Sequence, residues 1–264
     1  MVCRCANDCI SYIGMVFMIK IFLGNLGSGK TVCAVREMYL NQNNCFSNIN
    51  TNMENCQVIR PEYIIKKEIV DYKKNKKSGD KEPIYKSELN MDFWQNTKKP
   101  CDVYLDEAHT IINARRSMSK TNIILGEWLS MLRRVLNDSE GKTGDLILIS
   151  QRLMKLDENA RDMCNLIAFH ICHYLKECND CHFIVQENSD MPRVMKVCLS
   201  CGSQNIKKHT FNIEVLEFES DEHFNLWKFN HEDTYFDNYL IPSIEKYFSM
   251  YNTLQWDNLF KGYY

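Results

Sequence analysis

A short glycine-rich segment has the residue types and spacing that bind nucleotide phosphates. Residues 24–31 read Gly-Asn-Leu-Gly-Ser-Gly-Lys-Thr and match the pattern G-x-x-x-x-G-K-[ST] throughout. Glycines let the backbone fold tightly, so that successive N–H groups point at phosphate oxygens. Lys30 is expected to reach the β- and γ-phosphates, and the Thr31 hydroxyl to ligate Mg²⁺. ATP with Mg²⁺ is therefore the predicted ligand. The predicted binding residues are Gly24, Asn25, Leu26, Gly27, Ser28, Gly29, Lys30, Thr31 and Val32.

The segments on either side of this loop fit a strand–loop–helix unit. Residues 18–23 form an apolar run that predicts a buried strand, and residues 30–40 have few helix breakers and the apolar spacing of a helix. The positive end of such a helix would face the same phosphate. This context separates the pattern from an ordinary glycine turn, which is the alternative interpretation.

A pair of acidic residues follows another apolar run. Residues 103–105 predict a strand, which Asp102 is expected to weaken, and Asp106 and Glu107 come directly after it. A carboxylate at the end of a buried strand is where a nucleotide-bound Mg²⁺ needs an acidic partner, so Asp106 is assigned to magnesium. Glu107 is placed to orient and deprotonate an attacking water. The alternative is a solvated Asp-Glu pair that opens a helix.

Polar residues after later elements complete the predicted site. Gln151 follows the apolar run 146–149 and is the predicted γ-phosphate sensor, because its amide can donate to a phosphate oxygen and accept from water. Hydrolysis of this type gains from a guanidinium at the γ-phosphate, often supplied by a neighbouring subunit. Arg134 and Arg161 are chosen as candidates, although any single arginine could equally be a surface or structural residue. The arginines considered are Arg115, Arg116, Arg133, Arg134, Arg152 and Arg161.

Together these motifs resemble a known family. Residues 24–31, 105–109, 115–116 and 129–151 resemble the FtsK–HerA branch of P-loop ATPases. The likeness is nearest to the zonular-occludens-toxin-like assembly ATPases of filamentous phages and to viral genome-packaging ATPases, and it covers roughly residues 18–172. The resemblance implies a ring-forming motor, such as a hexamer, that moves DNA using ATP.

The resemblance also implies a fold and a set of roles. A P-loop NTPase of the RecA/ASCE-like type has a mostly parallel α/β sheet with helices on both faces, and the alternation of predicted strands and helices agrees with this. By matching motifs, Lys30 and Thr31 would bind phosphate and Mg²⁺. Asp106 and Glu107 would be the acidic pair, and Gln151 the sensor. The implied partners are further copies of the chain, DNA and a capsid or coat protein.

Four cysteines have the spacing of a structural zinc site. They form the pattern C-x2-C-x16-C-x2-C, in which each pair makes a tight knuckle. Segments 183–186 and 194–197 are expected to pair as a hairpin, which would make this part a small zinc-ribbon insertion. Four thiolates leave no open coordination position, so Zn²⁺ would stabilise rather than catalyse. The alternatives are unligated thiols, or a ribbon that also docks a partner or nucleic acid. The predicted ligands are Cys178, Cys181, Cys198 and Cys201.

Composition limits the class of protein. The 264 residues are 45% hydrophobic, which excludes a mainly disordered chain, and the net charge of −2 excludes an all-over basic nucleic-acid binder. The thirteen cysteines are an odd number, and no apolar run spans a bilayer, so a soluble protein of the cytoplasm is expected, in the host cytoplasm if it is viral. The absence of a span favours a packaging motor over a secretion role. The predicted divisions are an extension 1–17, an ATPase core 18–172, a zinc-ribbon insertion 173–212 and an acidic, aromatic-rich part 213–264 that completes the core.

A lysine-rich segment is one candidate for DNA contact, and Arg115, Arg116 and Lys120 are others. Residues 73–83 have the composition of an exposed loop, and the basic residues continue on its amino-terminal side together with Tyr63 and Tyr72. Contact with phosphates through such lysines would be independent of sequence and sensitive to salt. The alternative is a solvated loop. The lysines are Lys66, Lys67, Lys73, Lys74, Lys76, Lys77 and Lys81.

Three functions are therefore compared. The first is an ATP-hydrolysing motor that translocates DNA in viral genome packaging or virion assembly. The second is a small nucleotide or metabolite kinase, which shares the phosphate loop but should lack a carboxylate beside the Mg²⁺ acid. The third is an adaptor that binds a partner through the zinc ribbon and uses ATP only as a switch.

Overall fold

The computed structural model describes residues 18–41, 43–74, 81–116, 119–189 and 196–252, so the predicted extension 1–17 lies outside the described residues. The strands are β1 (Ile19–Leu23), β2 (Asn44–Ser47), β3 (Cys56–Val58), β4 (Ile65–Lys74), β5 (Lys81–Leu89), β6 (Cys101–Leu105), β7 (Leu146–Ile149), β8 (Leu166–Cys178), β9 (Ile184–Asn188), β10 (Ile206–Phe218) and β11 (Asp237–Ile241). The helices are α1 (Lys30–Leu40), α2 (Pro61–Ile64), α3 (Met91–Asn96), α4 (Lys120–Ser130), α5 (Leu132–Leu136), α6 (Glu158–Asp162) and α7 (Asp221–Asn225).

A mixed nine-stranded sheet organises the described chain. Its order is β11-β10-β8-β1-β7-β6-β2-β3, and β9 pairs with β8 beyond the end of β1. The strands from β8 to β3 run parallel to their neighbours, whereas β9, β10 and β11 are joined by antiparallel ladders. In this order β7 lies between β1, which precedes the glycine-rich loop, and β6, which precedes the acidic pair. The predicted α/β fold class is confirmed.

The central strands are buried on both faces and therefore consist almost entirely of apolar residues. Successive side chains alternate between two cores. Ile21 and Leu148 lie in the core under α4 and α5, whereas Phe22 and Ile149 lie in the core under α1 and the 3₁₀ helix Ile244–Met250. Helices therefore cover both faces of the sheet, as the sequence predicted.

The lysine-rich segment folds differently from the predicted loop. Strands β4 and β5 pair with each other as a two-stranded sheet separate from the main one, so the exposed loop predicted over 73–83 is wrong at both ends. The cross-strand pair Ile69–Tyr85 and the pair Lys73–Glu82 extend the ladder well beyond the buried base at Ile65. Residues 75–80, between the strands, lie outside the described residues. The many charged residues therefore belong to a solvated hairpin. Charged side chains on an exposed pair of strands stay hydrated, so they cost little folding free energy.

Two other expectations are corrected. The apolar spacing of residues 121–136 predicts one amphipathic helix, but the structure divides it at Met131, whose backbone leaves the helical region. Leu129 and Leu132, on either side of the break, are both buried. Segment 183–186, expected to belong to a separate hairpin, lies largely in β9, which pairs with His173–Glu177 of β8 and so joins the main sheet. The long strand β8 offers a complete ladder for it, while residues 194 and 195 lie outside the described residues.

Asp102 does not weaken its strand, because the surroundings satisfy it. The carboxylate is 1% exposed and accepts hydrogen bonds from Asn41 Nδ2 at 2.6 Å, from Asn43 Nδ2 at 3.1 Å and from the backbone N–H of Asp145 at 2.9 Å. Burial raises its pKa to about 6, while the hydrogen bonds oppose this shift. A buried carboxylate is tolerated where donors surround it. Sequence periodicity does not reveal such donors.

Candidate nucleotide-binding site

Parallel neighbours bring the predicted motifs to one edge of the sheet. The register pairs Phe22 of β1 with Ile149 of β7, and Leu105 of β6 with Leu148 of β7. The residues that follow these strand ends therefore leave the sheet side by side. They are the glycine-rich loop, the acidic pair and the Ser-Gln dipeptide 150–151. In open parallel sheets this carboxyl edge is the usual place for ligands.

The glycine-rich loop folds as its composition predicts. Gly24 has a φ of 149°, and a Cβ there would collide with the carbonyl oxygen of His170 on β8 and with the Ser28 hydroxyl. Gly29 has a φ of 89° and caps the amino end of α1, where a Cβ would collide with Ile213 of β10. The loop thus packs directly on two strands. The first intrahelical bond runs from the Cys33 N–H to the Gly29 carbonyl, so the N–H groups of Lys30, Thr31 and Val32 have no partner within the helix.

Lys30 is drawn into the loop. Its Nζ donates to the carbonyl oxygens of Gly24 at 2.8 Å and Asn25 at 2.9 Å, and lies 3.4 Å from the Ser28 hydroxyl oxygen. The side chain is largely buried, which lowers its pKa, while the nearby carboxylates of Asp106 and Glu107 oppose the shift. An ammonium held this way is positioned to move onto phosphate oxygens that enter the loop.

Thr31 and Asp106 meet as a magnesium pair would require. The Thr31 hydroxyl donates to Asp106 Oδ2 at 2.9 Å across 75 positions of sequence. Burial raises the pKa of Asp106, although the bonds from Thr31 and from the Glu107 backbone N–H lower it. A hydroxyl and a carboxylate in contact at a phosphate loop are the protein ligands that Mg²⁺ takes in such sites. The donor set therefore fits magnesium.

Asn48 is a site residue that the sequence did not reveal. It follows β2, the neighbour of β6, and its side chain bonds the Asp106 backbone twice: Asn48 Oδ1 accepts from the Asp106 N–H at 2.7 Å, and Asn48 Nδ2 donates to the Asp106 carbonyl at 2.9 Å. The paired bonds fix the backbone from which the Asp106 carboxylate projects. The available signal was a polar residue directly after a short strand, Asn44–Ser47.

Glu107 and Gln151 are brought together. Gln151 Nε2 donates to Glu107 Oε1 at 3.0 Å, and His109 Nδ1 lies 3.2 Å from Glu107 Oε2 and 3.4 Å from the Ser150 hydroxyl. Glu107 has a φ of 48°, in the left-handed region that side chains seldom adopt. Burial lowers the pKa of His109, while the Glu107 carboxylate opposes this shift. The Glu107 carboxylate is therefore held between the Gln151 amide and the His109 imidazole.

The candidate arginines lie elsewhere in this chain. Arg161 Nη1 pairs with Asp221 at 3.1 Å, close to the amino end of β8. Arg134 is exposed on α5, and its carbonyl accepts from Lys99, which precedes β6. Both therefore lie toward the edge where these strands begin, and neither is brought to the phosphate loop of its own chain. Arg152, next to Gln151, is exposed, as is Arg115 after the acidic pair.

These observations define the class of protein. A glycine-rich loop after β1, an acidic pair after β6 and a polar Ser-Gln dipeptide after the intervening β7 make this a P-loop NTPase fold of the RecA/ASCE-like type. The family model described as "Zonular occludens toxin (Zot)" matches residues 18–213. The chain belongs to the zonular occludens toxin family. No match to a curated protein was found.

Two solved structures are similar to this chain. The N-terminal domain of zonular occludens toxin from Neisseria meningitidis is 17% identical with a TM-score of 0.47, and the match covers 89% of this chain and 99% of that one. The genome-packaging NTPase B204 from Sulfolobus turreted icosahedral virus 2 is 14% identical with a TM-score of 0.35, covering 58% of this chain and 74% of that one. Both likenesses are distant, so the family assignment stands on the sequence match.

Proposed function

We propose that this chain hydrolyses Mg·ATP and uses the energy to move DNA during viral genome packaging or virion assembly. The observation that carries the proposal is the meeting of two pairs at one sheet edge: Thr31 with Asp106 at 2.9 Å, and Glu107 with Gln151 at 3.0 Å. The first pair suits the metal, and the second suits the attacking water. Lys30, beside Thr31 in sequence, completes the set with a cation for the phosphates.

In the proposed reaction each group has one task. Lys30 and the loop N–H groups bind the β- and γ-phosphates, and Mg²⁺, which Thr31 and Asp106 would hold, would supply positive charge to the phosphate oxygens. Glu107 accepts a proton from a water as the water oxygen bonds to the γ-phosphorus. The bond between that phosphorus and the bridging oxygen breaks, and ADP leaves with the electron pair. Gln151 orients the water and Glu107.

The same pairs favour hydrolysis over kinase chemistry. A kinase must keep water from the γ-phosphate, so a carboxylate beside the magnesium acid would work against it. Glu107 is such a carboxylate, and its side chain is 30% exposed, which leaves it accessible to water. A kinase and an ATP-switched adaptor are the two competing functions, and they differ from the proposed motor in the products formed from ATP.

The β4–β5 hairpin is the proposed DNA contact. It projects from a buried base at Ile64 and Ile65, and its outer part is solvated, with Tyr72 57% and Tyr85 51% exposed. Lys73 and Lys81 flank the segment 75–80, which contains further lysines. Exposed lysines on a projecting ribbon can follow a DNA backbone without reading its sequence. Tyr63 takes no part, because its ring stacks on Phe93 at 4.1 Å.

A ring of subunits would complete the site. Among the described residues, no arginine side chain is hydrogen-bonded or ion-paired to Asp106 or Glu107, so the arginine finger is proposed to come from a neighbouring copy. Arg134 is exposed and available for that role, whereas Arg161 is engaged with Asp221.

Within the described residues no helix is both long and apolar enough to cross a bilayer.

The decisive experiment measures phosphate release with and without double-stranded DNA, together with molecular mass in ATP and Mg²⁺. The proposal expects turnover that DNA stimulates, in a species larger than one chain. Transfer of phosphate to a small molecule would support the kinase. Binding of ATP without turnover, in the presence of DNA, would support the adaptor.

The hairpin is tested by charge reversal. Lys73→Glu with Lys81→Glu should weaken DNA binding and flatten the dependence of log K on log salt by about one unit per lost phosphate contact. The matched control is Lys142→Glu with Lys246→Glu, which makes the same change of charge at exposed positions outside the hairpin. Equal losses in the two double variants would show that net charge, rather than the hairpin, governs DNA binding.

A further inference from the structure

Four cysteine side chains meet at the end of β8 that lies farthest from the phosphate loop. The Sγ atoms of Cys178, Cys181, Cys198 and Cys201 all lie within 4.8 Å of one another. Cys178 and Cys201 are 3.6 Å apart, and Cys181 and Cys198 are 3.5 Å apart. A tetrahedral zinc with bonds of ~2.3 Å sets its sulfurs ~3.8 Å apart, whereas a disulfide needs ~2.0 Å. The arrangement is that of a metal site rather than of two disulfides.

The backbone repeats the same turn at both cysteine pairs. The residue after each second cysteine is left-handed, His182 with a φ of 58° and Gly202 with a φ of 73°. The His182 N–H donates to the Cys178 carbonyl at 2.9 Å, and the Gly202 N–H donates to the Cys198 carbonyl at 2.9 Å. A histidine in this conformation is uncommon. Two equivalent knuckles that present four sulfurs to one point indicate a built site.

Hydrogen bonds around the sulfurs suit thiolates. The Ser200 N–H points at Cys198 Sγ at 3.4 Å. The two knuckles are also tied to each other, because the Asn179 N–H donates to the Asn205 carbonyl at 2.9 Å and Asn205 Nδ2 donates to Asp180 Oδ1 at 3.0 Å. Such outer contacts orient metal ligands. They also bring the turn after β8 against the segment that enters β10.

The part of the sheet next to these cysteines has little apolar core of its own. Beyond β1, strand β8 is flanked by β9 on one side and β10 on the other. Lys176 and Glu187 are each 5% exposed there and form an ion pair at 3.0 Å. The cost of desolvating a buried ion pair offsets most of its attraction, so this pair contributes little net stability. A small three-stranded unit of this kind needs another source of stability.

We propose that Cys178, Cys181, Cys198 and Cys201 bind one Zn²⁺ that fastens the outer ends of β8, β9 and β10 together. Four thiolates select a soft or borderline cation and leave no position open to substrate, so the ion is structural. The ion joins the β8–β9 turn, which carries Cys178 and Cys181, to the segment before β10, which carries Cys198 and Cys201. It thereby opposes local unfolding of these outer strand ends. The proposal is independent of ATP hydrolysis, since it concerns residues outside the phosphate site.

Metal content tests the site directly. The full chain is purified with a thiol reductant, and bound zinc is measured by atomic emission. Cys181→Ser is compared with Cys164→Ser, a control whose thiol lies outside the cluster and donates to backbone carbonyls, as a hydroxyl can. The proposal expects one zinc per chain in the wild type and in Cys164→Ser, and its loss in Cys181→Ser. Equal zinc in both variants, or none in reconstituted wild type, would overturn it.

Cobalt gives a readout that does not depend on folding yield. Co²⁺ bound by four thiolates has intense visible bands that report tetrahedral sulfur ligation. The wild type should show these bands, and zinc should displace them. A spectrum of six-coordinate cobalt would contradict the assignment. So would a protein mass, measured under reducing conditions, that is lower by the four hydrogens lost when two disulfides form.

Hydrogen exchange tests what the metal does. Removal of zinc by a chelator should speed exchange of amides in residues 173–188 and 206–212 by about tenfold or more, because the unit can then open locally. Amides of β1 and β7, which lie within the central sheet, should keep their protection. Unchanged exchange in the outer strands after metal loss would refute the structural role even if zinc is bound.

Discussion

Replacing Glu107 by glutamine isolates the proposed general base. In the wild type, Gln151 Nε2 lies 3.0 Å from Glu107 Oε1. The substitution keeps the size of the side chain and an oxygen that can accept this hydrogen bond. It removes the negative charge and the basic oxygen that faces His109 at 3.2 Å. The contacts of Lys30 and Thr31 do not involve this side chain. Chemistry should therefore be lost while the nucleotide site keeps its shape.

The magnitude follows from the role. A positioned base contributes about 10²–10⁴ in rate, or about 3–5 kcal/mol of barrier, and kcat should fall by that factor. ATP affinity should be unchanged or slightly higher, since the lost charge is of the same sign as the phosphates. The assay combines steady-state phosphate release in the presence of DNA with titration of a fluorescent ATP analogue.

Glu127→Gln on α4 is the matched control, because that glutamate is exposed and makes the same change in charge. Its kcat should stay near that of the wild type. If Glu107→Gln keeps kcat within about tenfold of the wild type, Glu107 is not the base. If ATP affinity falls as steeply as kcat, the substitution has disturbed the site, and the reasoning from preserved contacts is refuted.

Three further changes test the surroundings of the site. Asp106→Asn should raise the Mg²⁺ needed for half-maximal turnover about tenfold or more, because a metal ligand is weakened; an unchanged Mg²⁺ dependence of phosphate release would speak against it. Asn48→Ala removes both bonds to the Asp106 backbone and should lower the free energy of unfolding by about 1–3 kcal/mol in denaturant titrations, and a loss near zero would contradict the clamp. His170 is fully buried and its pKa is lowered to about 4, mainly by desolvation, so the unfolded chain binds a proton there between pH 6.5 and 4 that the folded chain does not. Wild type should therefore lose about 3 kcal/mol of stability relative to His170→Gln as pH falls from 7 to 4, whereas parallel pH curves of unfolding would refute this.

Local signals were enough to predict the elements that carry the phosphate loop. The strand before it, the helix Lys30–Leu40 and the strand Leu146–Ile149 were all readable, because period and glycine spacing are properties of neighbouring residues. The resemblance to the zonular-occludens-toxin-like ATPases is confirmed by the family match over residues 18–213. The assigned roles of Lys30, Asp106 and Glu107 stay predictions that the geometry supports.

The expectations that failed concern long-range pairing. The partner of β9, the hairpin made by β4 and β5 and the donors around Asp102 depend on residues distant in the chain, whose approach no local pattern encodes. The same holds for the hydrogen bonds from Asn48 to the Asp106 backbone. Each of these features is set by which strands become neighbours, and strand order follows from burial of the whole sheet rather than from any one segment.

The amino-acid sequence alone determined which chemical groups are present and how they are spaced: a loop able to hold phosphate, two adjacent carboxylates, and four cysteines in two pairs. Tertiary structure alone decided which of them meet. In the folded chain Thr31 donates a hydrogen bond to Asp106, Gln151 donates one to Glu107, and Arg161 forms an ion pair with Asp221. The physical reason is that side-chain type and local spacing belong to short stretches of chain, whereas contact requires strands from distant stretches to pack in one order and register.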